Sequence, residues 1–201
     1  MIRLATPSDA PPVAAIYAPA VTDHATSFEL EPPDAAEMAR RIEKTLARTP
    51  WLVCEHDGRV LGYAYAGPHR ERAAYRWSVE VSAYVHPDAW RRGVGRALYA
   101  SLFAVLERQG FRNAVAGATL PNDASVGLHR AVGFTPVGVF RAVGFKFGAW
   151  HDVGWFERPL LPRVSEPPEP MPLPAMDAAE IRDALAVGLP LLRLGSAAGR
   201  G

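Results

Sequence analysis

An α+β domain folded around one mixed sheet is the class this sequence predicts, and three observations carry that reading. Runs of strand and helix character alternate in the order β-α-α-β-β-β-α-β-α-β-β, so both kinds of element serve one sheet instead of separate blocks. Asp57-Gly58 stands between two apolar runs, the arrangement that favours a tight antiparallel hairpin. Residues 77–98 pass from an apolar, β-branched run through a glycine turn into a helical pattern.

The elements follow in chain order. Residues 2–5 read as a short first strand. Ser8 or Asp9 caps the helix after it, whose first turn tolerates Pro11 and Pro12 and whose buried face is Val13, Ile16 and Tyr17. Pro19 is expected to end it. The loop over residues 20–33 carries Thr26, Phe28 and Glu29; Phe28 either plugs the core or touches a ligand. Asp34 followed by Glu37 opens a second helix in the manner of a capping box, with Met38, Ile42 and Leu46 on one face. The hairpin strands are residues 51–55 and 59–66, and Gly67-Pro68 is expected to break the second. Residues 69–76 form a polar segment with Arg70, Arg72, Tyr75 and Arg76, suited either to an acidic substrate group or to solvent.

Beyond the glycine turn a long helix runs to Gln109, with Gly110 at its C-cap. Residues 111–118 read as a strand. Asn122 or Asp123 caps a helix bearing Val126, Leu128, His129 and Val132. Residues 137–143 and 153–156 close the sheet, joined by a segment containing Lys146, Trp150 and His151. The prolines of residues 159–174 exclude a helix or central strand and predict an extended linker. Residues 176–187 form one short helix with Ile181 and Leu185 on a face, and residues 195–201 read as a frayed end. The expected division is a domain over residues 1–160 and a proline-rich linker with a short helical or disordered tail over residues 161–201.

The stretch 77–98 holds the chemistry. Its turn is Arg91-Arg92-Gly93-Val94-Gly95-Arg96, directly before Ala97, Leu98, Leu102 and Leu106. Glycines let backbone approach a ligand, and the first helical turn offers unpaired N–H groups at the positive end of the dipole. That combination makes a phosphate cradle. A dinucleotide fingerprint would need a third glycine where Leu98 stands, and a nucleotide P-loop would need Gly-Lys-Ser/Thr where Arg96-Ala97 stands.

Composition sets the outer limits. The chain has 201 residues, 49% hydrophobic and 21% charged, with a net charge of +1, so nothing in the overall balance calls for nucleic acid or a membrane as partner. Cys54 is the one cysteine and lies in an apolar run, which excludes an intrachain disulfide. The six histidines show no metal-ligand spacing, so no metal is assigned. No stretch approaches the roughly 20 apolar residues of a membrane span, and the start lacks a signal-peptide pattern. A cytoplasmic protein is expected.

The order of elements and the hexad Trp90-Arg91-Arg92-Gly93-Val94-Gly95 resemble the GNAT family of acyl-CoA-dependent N-acetyltransferases, whose signature there is Gln/Arg-x-x-Gly-x-Gly/Ala. Trp90 departs from the first position. Residues 1–160 are similar, more closely, to the phosphinothricin and methionine sulfoximine N-acetyltransferases within that family. The matching pieces include residues 50–53, 63–68, Ala74-Tyr75, Tyr84-Val85, residues 120–123, Leu128-His129 and the run 141–154. The resemblance implies a mostly antiparallel sheet flanked by helices, acetyl-CoA as co-substrate and a homodimer.

It also implies site residues. Glu80 is the candidate base, because a carboxylate among apolar neighbours has its pKa pushed upward by desolvation. His129 stands where many family members carry Tyr; it either protonates the leaving thiolate or helps deprotonate the amine. Tyr84 and Val85 border the thioester, the backbone of Arg91, Arg92, Gly93, Val94, Gly95 and Arg96 holds the pyrophosphate, and Asn122 holds the pantetheine arm. Phe28, Arg72, Tyr75, Arg76 and Lys146 are candidates for an acidic, amino-acid-like substrate. The implied function is N-acetylation of a small amino-acid-like amine, phosphinothricin or methionine sulfoximine first, by direct attack on the thioester. The alternatives are another small amine, such as a drug or polyamine, and a catalytically silent CoA-binding module.

Overall fold

The structure, a computed structural model, describes residues 1–195; of the expected frayed end, residues 195–201, all but Gly195 lies outside the described residues. Seven strands form one sheet in the order β1-β2-β3-β4-β5-β7-β6: β1 Ile2–Leu4, β2 Trp51–His56, β3 Arg59–Pro68, β4 Ser78–Val85, β5 Asn113–Leu120, β6 Thr135–Lys146 and β7 Ala149–Pro159. Every neighbouring pair is antiparallel except β4 and β5. Asp57 and Gly58 both take positive φ in the β2–β3 turn, the geometry that matches the twist of a hairpin.

Helices cover both faces. Helices α1 (Ala10–Thr22) and α2 (Ala35–Leu46) bury Val13, Ile16, Tyr17, Met38 and Ile42 against Trp51, Val53 and Tyr63. The Asp34 carboxylate accepts from the Glu37 N–H at 2.7 Å, as the capping pattern predicts. Helix α3 (Val94–Gln109) fills the other face, burying Leu98, Leu102 and Leu106 against Leu52, Ala64 and Val81. Helix α4 (Asp123–Ala131) lies beside its N-terminal half, capped by the Asn122 side chain, which accepts from the Ser125 N–H at 3.0 Å.

Several boundaries differ from the sequence reading. Pro19 lies inside α1, which continues to Thr22; Val21 and Ala20 are buried there, and that burial holds the turn that the proline weakens. Asp9 does not cap α1 with its side chain. Its carboxylate instead takes the Arg3 guanidinium at 2.7 and 2.8 Å and the Thr6 N–H at 2.8 Å. Strand β3 runs through Gly67 and Pro68, which pair with Glu80 and Val79. Lys146, Trp150 and His151 sit in β6 and β7, whose turn is only Phe147-Gly148.

After β7 the chain lies along the outer side of α3. The Trp77 indole donates to the Pro168 carbonyl at 2.8 Å, and the Gln109 amide donates to Met171 at 2.7 Å. Leu173, Met176 and Ala184 are buried with Val105 of α3, and α5 (Ala178–Ala186) packs on that helix. No described helix is long and apolar enough to cross a membrane.

Candidate active site

The one parallel contact of the sheet creates the site. Strands β4 and β5 are in register only from Ser78–Asn113 to Glu80–Val115. Beyond Glu80 they part, while β5 stays paired with β7 as far as Leu120. Residues 81–85 therefore face a wedge instead of a neighbouring strand on that side, where backbone groups are left for a ligand. The wedge opens into a cleft of about 1430 Å³ lined by Val81, Ser82, Tyr84 and Val85 of β4 and by Ala118 and Leu120 of β5.

The glycine turn closes one end of this cleft. Gly93 has φ of 82°, a left-handed conformation that suits glycine, and α3 starts at the next residue. Arg91, Gly93, Val94, Gly95 and Arg96 all line the cleft, and so does Asn122. Arg92 is part of the turn but does not line the cleft. Among the residues lining the cleft Asp23 is the sole carboxylate, against Arg91, Arg96 and Arg193. Helix-terminal N–H groups, a positive helix end and arginines fit a ligand carrying phosphates. Trp90, the position that departs from the signature, lines the cleft and is 62% exposed. Its indole donates to the Val85 carbonyl at 2.9 Å, tying the turn to the end of β4.

His129 borders the wedge from α4 and is 4% exposed. Its Nε2 lies 3.2 Å from the Tyr99 hydroxyl, and its ring stacks on Phe156. Nδ1 is buried with no protein partner. Burial pushes its pKa down to about 4, so the ring is neutral at neutral pH. Burial likewise pushes the Tyr99 phenol upward. Tyr99 carries no motif; its place in the leucine-rich face of α3 reads as core from sequence alone.

Glu80 does not line the cleft; it immediately precedes the lining residues Val81 and Ser82 at the point where the strands part. Its side chain is 39% exposed, and His69 Nδ1 stands 3.8 Å from Oε2, beyond hydrogen-bond length. Burial pushes the carboxyl above its usual range, opposed by the positive charge of Arg70. Burial, with Arg70 adding to it, holds His69 below the ordinary imidazole value. Around this pair stand Tyr75, edge-on to His69 at 5.8 Å, and Trp155, edge-on at 6.4 Å and covered by Arg70. His69 is the functional candidate that the sequence reading missed. The signal lay in the polar segment after β3, one residue beyond the strand end that pairs with Val79.

The structure separates the remaining substrate candidates. Lys146 is buried, and its ammonium donates at 2.7 Å to the carbonyls of both Ser27 and Glu29, so it fastens the loop after α1 instead of awaiting a ligand. Arg76 is bound to the Glu169 carboxylate of the C-terminal segment and stacks on Trp77. Phe28 packs so closely over Gly144 that a side chain there would overlap its ring. Arg72 heads the short turn Ala73–Tyr75. None of Phe28, Arg72, Tyr75, Arg76 and Lys146 lines the cleft; Ala25, Thr26, Phe147 and His151 do. Among the described residues no group of three or more His, Cys, Asp or Glu side chains is placed to hold a metal ion.

Comparison with known proteins gives this architecture relatives. Residues 2–155 match the acetyltransferase (GNAT) domain. A phosphinothricin N-acetyltransferase of Alcaligenes faecalis is 47% identical over 161 residues, 79% of this chain and 82% of that protein. The L-methionine sulfoximine/L-methionine sulfone acetyltransferase of Salmonella typhimurium is 36% identical over 160 residues, 79% of this chain and 94% of that protein. A phosphinothricin acetyltransferase from Sinorhizobium meliloti, solved in complex with AcCoA, superposes with a TM-score of 0.75 at 37% identity, covering 79% of this chain and 87% of that one. With the domain match over most of its length and relatives at 36–47% identity, the chain belongs to the GNAT family of acetyltransferases.

Proposed function

We propose that the protein acetylates the α-amine of a small amino-acid-like substrate, with phosphinothricin or methionine sulfoximine as the first substrates to try. The observation that carries this reading is the parting of β4 from β5 directly after Glu80, which sets a carboxylate of raised pKa at the apex of a ligand-sized wedge. The names of the relatives supply the substrate class.

When bound, acetyl-CoA would supply the acyl thioester; the amine forms its N–C bond as the C–S bond breaks, and the sulfur leaves as a thiolate that takes up the second amine proton through solvent. The protein's own part is binding, proton transfer and positioning. Backbone N–H groups of Arg91 and residues 93–96, with the Arg91 and Arg96 side chains, hold the phosphates; Arg92, whose N–H donates to the Ala89 carbonyl at 3.4 Å, takes no part. Asn122 has its Oδ1 committed to the α4 cap and keeps its amide N–H₂ for the pantetheine arm. Tyr84 and the backbone at Val85 border the acyl carbonyl, where an N–H donor stabilises developing negative charge. An ammonium does not attack, so Glu80 takes its proton, directly or through one water. Desolvation suits Glu80 to that task by raising its basicity. His129 stays neutral, and its role is a hydrogen bond beside the departing sulfur, steadied by Tyr99.

The proposal includes a homodimer and a cytoplasmic setting. Strand β6 is a sheet edge, and Val137, Phe140, Val143, Phe145 and Trp150 stand between 52% and 67% exposed on the β6–β7 hairpin. An apolar edge of this kind is what a second copy covers. Sedimentation of the wild type against Phe145→Asp checks it, with a dimer expected only for the former. For activity, the protein is incubated with acetyl-CoA and a panel of amines (phosphinothricin, methionine sulfoximine, glutamate, a polyamine, an aminoglycoside) while free thiol is followed. Turnover confined to the amino-acid-like amines is expected. Binding of CoA with no turnover on any amine favours a silent module instead.

A further inference from the structure

We propose that residues 188–193, at the end of the C-terminal segment, are part of the phosphate-binding wall of the acyl-CoA site, and that Arg193 is the cation they add. This rests on the reading of the cleft as that site. The matched domain ends at residue 155, so these residues lie outside it.

The segment reaches the cradle by specific contacts. Ser101, buried in α3, donates from its hydroxyl to the Leu185 carbonyl at 2.7 Å and accepts from the Gly188 N–H at 3.1 Å. Gly188 lies against the α3 backbone; a Cβ there would overlap the Ala97 carbonyl. The turn Leu189–Leu191 then passes over Gly93, where a Cβ would overlap the Leu191 carbonyl oxygen. Beyond it the Arg193 N–H donates to the Arg92 carbonyl at 2.9 Å. The cradle turn is therefore clamped between β4, through Trp90, and the C-terminal segment, through Arg92 and Gly93.

Its residues line the cleft without filling it. Pro190, Leu191 and Arg193 share the lining with Arg91, Arg96 and the helix start, and the open volume stays at about 1430 Å³. Arg193 is exposed and, among the described residues, has no carboxylate partner. An unpaired guanidinium at the rim of a cationic cleft suits a phosphate oxygen, which it meets with two parallel N–H donors. Two phosphate groups of acyl-CoA answer that description, the pyrophosphate and the 3′-phosphate of the ribose.

The test compares the full-length wild type with Arg193→Ala and Arg193→Lys. Affinity for CoA is measured by calorimetry, and steady-state kinetics use acetyl-CoA and its 3′-dephospho analogue. Arg193→Ala is expected to raise the Kd for CoA and the KM for acetyl-CoA about tenfold, or about 1.4 kcal/mol. Under the same conditions kcat and the amine KM stay at wild-type values. Arg193→Lys recovers part of the loss, which separates charge from a general loosening. If the analogue erases the difference between wild type and Arg193→Ala, the 3′-phosphate is the partner; if the difference persists, it is the pyrophosphate. Equal CoA affinity in wild type and Arg193→Ala overturns the inference and leaves the reading of the cleft intact. A wild type that binds no CoA overturns both.

Discussion

The two ends of the site are made of different material. The cradle end is backbone: a left-handed glycine, the first turn of α3 and a carbonyl at Val85 held by Trp90. The Glu80 end is side chains gathered from separate elements, with His69 beyond β3, Tyr75 in a short turn, Trp155 on β7 and Glu80 on β4. Backbone binding needs a local conformation, and a local conformation can be encoded in six consecutive residues. A side-chain cluster needs the sheet to be assembled first. In the proposed reading the first end would hold a ligand by shape and partial charge, while the second carries a group whose proton affinity depends on how the whole fold desolvates it.

Glu80→Gln should divide the two ends most sharply. It should lower kcat by about 100-fold or more, the usual worth of a general base, with the Kd for CoA unchanged in calorimetry. If kcat hardly moves, the proton leaves by another route and the assignment of Glu80 fails.

His129 lies between the ends, and its pKa makes a stability prediction. Its imidazole is depressed to about 4 in the folded protein against 6.5 ordinarily. Between those values the unfolded chain binds a proton that the folded protein refuses, so the stabilisation is complete above pH 6.5 and is lost as pH falls toward 4. The loss amounts to up to about 3 kcal/mol, and urea midpoints of wild type and His129→Leu should show it as a steeper acid decline in the wild type. A kcat profile with an inflection at the ordinary imidazole value that His129→Leu removes would show instead that the ring is charged in its working state.

Gly93→Ala attacks the backbone end. Left-handed backbone costs a residue with a side chain about 1 to 2 kcal/mol, and the new methyl meets the Leu191 carbonyl besides. We expect about a tenfold higher KM for acetyl-CoA with kcat retained. Trp90→Phe is the mildest change. It keeps a ring in place and removes one hydrogen bond, worth about 1 kcal/mol, so the KM for acetyl-CoA should rise less than about fivefold. A larger loss of kcat than of affinity in either variant would mean that the cradle also aligns the thioester, and the contrast between the ends would weaken.

What the chain made legible follows the same division. The Asp-Gly hairpin, the Asp34 cap, the Gly110 C-cap and the glycine turn before α3 are each local, and each stands in the structure at the residues that predict it. Boundaries governed by distant packing were not legible. Pro19 stays inside α1 because Val21 is buried by other elements, and β3 runs through Pro68 because β4 is there to pair with it. Lys146 and Arg76 looked like ligands for acidic groups because a sequence shows cations and not their partners. Ser27, Glu29 and Glu169 are distant in the chain from the cations they engage.

By itself, then, the sequence determined the alternation of elements, the cradle and the carboxylate that precedes the parting strands, since each is fixed by a few neighbouring residues. The tertiary structure alone decided that β4 and β5 part just after Glu80, that His69 stands beside it, that Tyr99 backs His129, and that the C-terminal segment returns to touch Gly93. These are contacts between residues from 11 to about 100 positions apart along the chain. They exist only once burial and strand pairing have brought distant segments together, and that burial also sets the proton affinities of Glu80 and His129.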